Sequence, residues 1–382
     1  MHPSLTSPLN FTELSPQEAP GNPYSLCWCM SGKKWKFCHK VRELEVGIHE
    51  KEYQRLVRKN YNQGNCLHPN AGPEECSAPA INSHTIQMNG GISTISENQH
   101  VYTFKLVDAM NTSVYTPKNI GVRKASTFLG FCTTHDSALF KCIETPPITV
   151  GPVTAFYMSY RAISYEYHGK LRASAATPFM LLQDRGKPFK EQAWLQNFVH
   201  ISIQGYKSGL RIHKQLKEEY DQAHLAADHN KFNYYAIEFE APSPIVACGA
   251  FCPEFDVNNK PLQVMGRGKH DFQIIAFNLL NINDRSYAVF GWMDDPYGVA
   301  RDYIESIKSH PESSLADLLF KISFQNFENT YMSPTWWNGL KKDHQQAICA
   351  LFRTGIGATP KTAKSLHTPI PLWTENVVRR FP

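Results

Sequence analysis

The spacing of apolar residues predicts helices in the first part of the chain. After a polar, proline-rich leader at residues 1–22, a charged segment at about 41–59 carries an apolar stripe typical of an amphipathic helix. The stripe consists of Val41, Leu44, Ile48 and Leu56. Within residues 152–230, two long stretches lack internal proline and predict further helices. We expect this helical segment to form an arm or a brace between domains.

The pattern changes at about residue 233. Tyr235, Ile237 and Phe239 alternate with polar neighbours, and the short apolar runs that follow are separated by Pro, Asn and Asp turns, which is typical of strands. Helical patterns return at about 297–309, 312–327 and 338–353. Because strands precede helices here and do not alternate with them, residues 233–382 predict an α+β domain with an antiparallel sheet.

Composition restricts the class of protein. A hydrophobic fraction of 42% and an aromatic fraction of 12% in 382 residues are typical of a folded globular protein and exclude general disorder. The chain has no secretory signal pattern and no apolar run of the ~18 residues that a membrane span needs. We therefore expect a cytoplasmic protein that binds no membrane. Its cysteines should then be thiols or metal ligands and not disulfides.

Two pairs of cysteine and histidine residues suggest a zinc site, with one further histidine and one aspartate near them in the sequence. Cysteine and histidine are the preferred tetrahedral zinc ligands, and a closed structural site takes four of them. The candidates are Cys66, Cys76, Cys132 and His135. His84, between the pairs, and Asp136, directly after the second pair, are then left over. Either they do chemistry on a second metal ion, or the cluster is a purely structural clip and His84 is a packed imidazole.

Two segments within residues 60–145 bear on this choice. The strand-like run 81–86 places His84 among apolar residues, and the run 131–136 places ligand residues at the start of a helix. Together they resemble HNH, or ββα-metal, nucleases. The resemblance implies a zinc-stapled ββα unit that hydrolyses DNA or RNA. It also implies that His84 is the general base and that Asp136 holds a catalytic Mg²⁺ or Mn²⁺ ion.

A shorter motif lies near the start of the chain. Residues 27–39 read CWCMSGKKWKFCH, with a Cys-x-Cys pair, a Ser-Gly-Lys turn and a Cys-His pair. This pattern resembles the SEC-C zinc motif. The resemblance implies a small zinc knuckle at about 17–42 whose metal ligands are Cys27, Cys29, Cys38 and His39. A disulfide is a weaker interpretation because a Cys-x-Cys pair is too close to bridge without strain.

Basic residues surround this motif. They are Lys33, Lys34, Lys36, His39, Lys40 and Arg42, followed by Lys51, Arg55, Arg58 and Lys59. Since the formal net charge is only +5, nucleic-acid contacts should come from such local patches. The alternative is a solvated basic helix face. A second basic stretch, glycine-rich, at 266–270 is interpreted as a turn, with a phosphate contact left open.

The sequence thus predicts an α+β protein with four parts. They are a SEC-C-like zinc knuckle at 17–42, an HNH-like unit at 60–145, a helical segment at 152–230 and an α+β domain at 233–382. We expect two structural zinc ions, a catalytic divalent cation, and a C-terminal domain that recognises, regulates or assembles the protein. By analogy the arrangement resembles that of anti-phage defence effectors. The rival hypothesis is a non-catalytic zinc-binding adaptor or RNA-binding protein.

Overall fold

A computed structural model describes residues 12–14, 16, 18–61, 64–88, 91–104, 116–264, 272–356 and 361–382. Helices and antiparallel strands are both present, so the predicted α+β class is confirmed. No helix in these ranges is both long and apolar enough to cross a membrane. The basic stretch at 266–270, interpreted above as a turn, lies outside the described residues.

The chain divides into two compact units. Unit 1 contains Gly64–Glu166 and Gln215–Pro382, and unit 2 contains Thr6–Gln63 and Tyr167–Lys214. The four sequence ranges proposed above stay a prediction.

Helices occupy most of residues 152–226, where the sequence predicts them. Helix α3 spans Pro152–Ala176, a 3-10 helix follows at Thr177–Asp184, and α4 spans Phe189–Ala226. Pro178 at the start of the 3-10 helix explains the end of α3, because proline cannot donate the hydrogen bond that would continue it.

The predicted amphipathic helix at 41–59 begins later than its apolar stripe indicates. A 3-10 turn covers Arg42–Leu44, Glu45 is extended, and α1 runs over Glu50–Tyr61. Val41 and Leu44 are exposed, so the N-terminal half of the stripe is not a buried helix face. Gly47, a poor helix former, lies within this break.

Unit 1 is built on an eight-stranded antiparallel sheet with the order β10-β5-β8-β7-β6-β9-β2-β3. The strands are β2 His100–Thr103, β3 Lys118–Gly121, β5 Asn233–Phe239, β6 Ile245–Phe251, β7 Ile275–Ile282, β8 Arg285–Trp292, β9 Thr330–Met332 and β10 Val377–Phe381. Every residue of β7 is buried, which explains its continuous apolar run. The core also includes residues from α5 Val299–Lys308, α6 Leu315–Asn326, α7 Pro334–Gly339 and α8 Lys342–Ile356.

A second, two-stranded sheet precedes a helix in the same unit. Strand β1, Ile81–His84, pairs antiparallel with β4, Thr127–Phe131, and α2 follows at Thr133–Glu144. The segment between β1 and β4 contains β2 and β3, and β2 pairs with β9. Residues from 60–145 and from 233–382 therefore share one sheet.

Asn329, just before β9, connects these elements. Its buried Nδ2 donates hydrogen bonds to Thr85 Oγ1 (2.7 Å) and to the Cys248 carbonyl oxygen (3.0 Å). Thr85 directly follows β1 and Cys248 lies in β6. The exit of β1 is thus held to the central sheet by one amide.

We expect Asn329→Ala to lower the free energy of unfolding of unit 1 by about 2–3 kcal/mol, because two buried hydrogen bonds are lost and their acceptors remain buried. Urea denaturation followed by tryptophan fluorescence measures this. Asn376→Ala removes an exposed amide from the same unit and should change the value by less than about 0.5 kcal/mol. Equal effects of the two substitutions would contradict the assigned role of Asn329.

Candidate metal centres and the adjoining polar site

A tight turn brings the first four candidate ligands together in unit 2. The Cys27 amide donates to the Lys33 carbonyl oxygen (2.8 Å), and Leu26 forms a bridge with Lys34. Met30 and Gly32 have φ values of 59° and 73°, and this left-handed conformation reverses the chain between the first ligand pair and the second. Residues 30–33 therefore form the turn between the two ligand pairs.

The donor atoms of this cluster lie close enough together to bind one metal ion. His39 Nδ1 lies 3.3 Å from Cys27 Sγ and 3.2 Å from Cys38 Sγ, and the Sγ atoms of Cys29 and Cys38 are 3.6 Å apart. Ligand atoms around zinc, with Zn–S near 2.3 Å and Zn–N near 2.0 Å, are separated by about 3.5–3.8 Å. We call Cys27, Cys29, Cys38 and His39 the knuckle cluster.

A buried carboxylate orients the histidine of the knuckle cluster. His39 Nε2 donates to Asp184 Oδ2 at 2.9 Å, which leaves Nδ1 for the metal. Asp184 is fully buried and also accepts from Arg42 Nε (2.6 Å) and Gln196 Nε2 (2.5 Å). Burial would raise the pKa of the Asp184 carboxyl, but its hydrogen bonds to His39 and Arg42 hold this pKa below its ordinary value. The carboxylate is thus ionised and keeps the imidazole in one orientation.

The second ligand set forms a cluster in unit 1. His135 Nδ1 lies 3.2 Å from Cys132 Sγ, 3.4 Å from Cys66 Sγ and 3.7 Å from Cys76 Sγ. Cys132 is the N-cap of α2 and His135 is in its first turn, so the helix start supplies both ligands. The Leu67 amide donates to the Gly130 carbonyl oxygen (2.7 Å), which fixes the loop that carries Cys66 beside β4. We call Cys66, Cys76, Cys132 and His135 the helix cluster.

Residues around the helix cluster hold its loop and its histidine. The His68 ring stacks on the His135 ring with centroids 3.8 Å apart. Burial lowers the pKa of His68 to about 4, so the stacked ring is neutral. Lys217, buried in α4, donates to the Leu67 carbonyl oxygen at 2.7 Å and forms an ion pair with Asp221.

His84 lies at the end of β1, outside both clusters. Its Nε2 is 3.2 Å from the carbonyl oxygen of Val122. A carbonyl oxygen only accepts, so Nε2 carries the proton of the neutral ring and Nδ1 is the basic nitrogen. The strand register places His84 opposite Thr127 of β4.

Asp136, in the first turn of α2, is the other residue left over. Its Oδ1 atom is buried and has no hydrogen-bond partner among the described residues. Burial raises the pKa of the Asp136 carboxyl above its ordinary value, and the charge of Arg161, the Ser83 side chain and His84 oppose that rise. His84 is thus near enough to Asp136 to influence its carboxyl electrostatically.

The structure brings together all the ligands that the sequence predicted, in two clusters that can each hold a metal ion. The roles assigned to His84 and Asp136 stay a prediction. Sequence reasoning missed Asp184, Lys217 and Arg161. Asp184 gives no local signal, since it lies 145 residues from His39, whereas a charge inside an apolar helical stretch could have drawn attention to Arg161.

The comparisons give no relative to set beside these centres. No family model matches the chain, and neither a curated protein nor a solved structure matches it.

We expect elemental analysis of protein purified without added metal to find about two equivalents of zinc, because each closed set of four thiolate and imidazole donors suits one ion. Cys132→Ser should reduce this to about one equivalent and lower thermal stability, since metal binding and folding are coupled. Cys142→Ser, on the same helix but outside both clusters, is the control and should retain both ions. Full zinc content in Cys132→Ser would remove the helix cluster from the list of zinc sites.

A second expectation concerns Asp184. Asp184→Asn should weaken zinc binding at the knuckle cluster by about 10–100-fold, because the carboxylate that orients His39 is replaced by a neutral amide. Competition with a chromophoric chelator measures this, and half of the bound zinc should become more easily removed. Glu191→Gln, which neutralises an exposed carboxylate in unit 2, should leave the titration unchanged.

Proposed function

We propose that this protein is a metal-dependent, HNH-like endonuclease that hydrolyses phosphodiester bonds in DNA or RNA. The order of elements around the helix cluster supports the proposal. Two antiparallel strands, β1 and β4, lead into α2, whose first turn supplies two of the four cluster ligands. His84 and Asp136 are not needed for that cluster and are free for chemistry.

The hydrogen bond of His84 is the observation that carries the proposal. Because Nε2 donates to the Val122 carbonyl oxygen, the imidazole is held in the tautomer whose Nδ1 accepts a proton. A general base needs this arrangement: a fixed ring with its basic nitrogen uncommitted. His84 would take the proton of the attacking water, and the carbonyl of Val122 would stabilise the imidazolium that results.

Asp136 fits the role of a ligand to a divalent cation. Its buried Oδ1 has no partner in the described part of the chain, and a carboxylate oxygen is the ligand that Mg²⁺ and Mn²⁺ prefer. A cation held there would supply charge stabilisation at the scissile phosphate. Burial of Asp136 favours its protonated form, so metal binding should weaken at acidic pH as the carboxyl takes up a proton.

In this proposal, the knuckle and the large sheet recognise a binding partner or regulate the nuclease. The knuckle resembles an accessory SEC-C module, and the large sheet contains no catalytic motif that we recognise in its sequence. In this proposal the sheet binds a protein partner or a second copy of the chain, and the protein is a cytoplasmic effector, by analogy one of anti-phage defence.

A second candidate function is nucleic-acid binding through the knuckle, without catalysis. Tyr24 and Phe37 are 60% and 67% exposed, and Lys36 Nζ lies 3.8 Å from the ring centroid of Tyr24 and 4.4 Å from that of Phe37. Exposed rings beside a cation can stack on unpaired bases while the lysine contacts phosphate. This surface favours an RNA-binding protein or adaptor with two structural zinc sites.

We expect His84→Ala to reduce cleavage by about 10²–10⁴-fold, because a positioned general base is lost. The assay uses labelled single- and double-stranded DNA and RNA with a series of divalent metals. Zinc content and thermal stability should stay near those of the unmodified protein, since His84 belongs to neither cluster. Asp136→Ala should be equally inactive.

The control is His100→Ala, which removes an exposed histidine of the same unit and should leave cleavage unchanged. Undiminished cleavage by His84→Ala would exclude the proposed mechanism. If the protein binds nucleic acid but cleaves none of the substrates with any of the metals, the second candidate function is favoured.

A further inference from the structure

Arg161 is a buried cation with unused hydrogen-bond donors. It lies on α3, is 1% exposed, and its guanidinium carbon is 4.0 Å from the centroid of the Phe140 ring. Nη1 is 2.7 Å from Glu144 Oε1. Nε and Nη2 make no hydrogen bond to any described residue. Leaving the donors of a buried charge unpaired costs free energy. The arrangement therefore indicates that a bound molecule accepts hydrogen bonds from the Arg161 guanidinium.

A cavity adjoins this guanidinium. The cavity is partly open to solvent. Arg161 lines it together with Asn278 of β7 and with Thr85 and Gln87, which follow β1. Asn278 is 5% exposed, and its Nδ2 atom also lacks a partner in the described part of the chain. Two residues that line this cavity, one on a helix and one in the central sheet, therefore carry unsatisfied donors.

We propose that this cavity binds a phosphoryl group. The unsatisfied atoms of Arg161 and Asn278 are all donors, so the ligand must offer acceptors. The Nε and Nη2 atoms form the planar edge of the guanidinium that pairs with two oxygens of one phosphate. The Asn278 amide can donate to a third oxygen. The phosphoryl group could come from a nucleic-acid strand or from a small phosphorylated compound.

The charges around the cavity limit its affinity. Glu144 pairs with Arg161, and Asp136 is close enough for the arginine to lower the pKa of its carboxyl. Both carboxylates oppose an anion. We therefore expect a dissociation constant for inorganic phosphate in the millimolar range, with selectivity supplied by the fixed donors and not by net charge. Phosphate binding in this cavity does not require cleavage by His84.

The test is titration of the full-length, zinc-loaded protein with inorganic phosphate, without added magnesium, followed by calorimetry and by ³¹P line broadening. Arg161→Lys keeps the charge but removes the two-donor edge, and Asn278→Asp places an acceptor where the amide donor was. Each should weaken binding at least about tenfold, as expected for loss of one charge-assisted contact. Circular dichroism and zinc content establish that each variant is folded.

The matched control is Asn281→Asp. It makes the same change on the same strand at a buried asparagine whose Nδ2 already donates to Ser243 and Thr94. Its phosphate affinity should match that of the unmodified protein. Binding that is unaltered in both Arg161→Lys and Asn278→Asp, or no binding by the unmodified protein, would overturn the proposal. If Arg161→Lys does not fold, Asn278→Asp against Asn281→Asp decides it.

Competition separates the two sources of the phosphoryl group. One competitor is a short oligonucleotide without a terminal phosphate. If it displaces inorganic phosphate, and if this displacement depends on Asn278, the phosphoryl group comes from the backbone of a nucleic-acid strand. Displacement by a nucleoside 5′-monophosphate alone identifies a small ligand. His84→Ala should bind phosphate normally, so a failed cleavage experiment and a failed binding experiment can be told apart.

Discussion

The attachment of α2 to the loop at Cys66 and Cys76 is the constraint on which the candidate site depends. Cys132 and His135 occupy the N-cap and first turn of that helix, so a metal ion bound by them and by the loop would fix the helix start in three dimensions. Asp136 is the next residue, and its carboxylate is placed by the same bonds. The geometry of the polar region around it would then depend on that metal ion as well as on apolar packing.

In unit 2, the knuckle cluster is held in place by a carboxylate, that of Asp184. A short segment of polar and basic residues buries little apolar surface, so a metal ion bound there would provide much of its folding energy. Asp184 then extends the cluster into the surrounding helices of unit 2, because one carboxylate accepts from His39, Arg42 and Gln196 together. The Trp28 ring, 4.7 Å from the His39 ring, covers the same histidine.

Sequence patterns predicted what local spacing determines. Donor chemistry identified the helix cluster, the SEC-C resemblance implied the knuckle cluster, and short apolar runs predicted strands β5 to β8. The pairing of strands that are distant in sequence could not be predicted. Nothing near Tyr102 of β2 indicates that it pairs with Met332 of β9, which lies far along the chain. The start of α1 was misjudged because an apolar stripe does not reveal a break such as that at Gly47. The roles of Asp184 and Arg161 could not be predicted, because their contacts are with residues that are distant in sequence.

Arg161 and Asp136 show why the polar region of unit 1 is more than packing. Opposite charges in a buried region gain most by pairing directly, yet each of these residues keeps an atom without a hydrogen bond among the described residues: donors on Arg161 and an acceptor on Asp136. Tertiary packing alone would favour apolar replacements of similar volume. A phosphodiester would offer acceptor oxygens to the arginine, and a divalent cation would complement the carboxylate. The two residues therefore complement the two groups that the proposed reaction requires, a phosphate and a divalent cation.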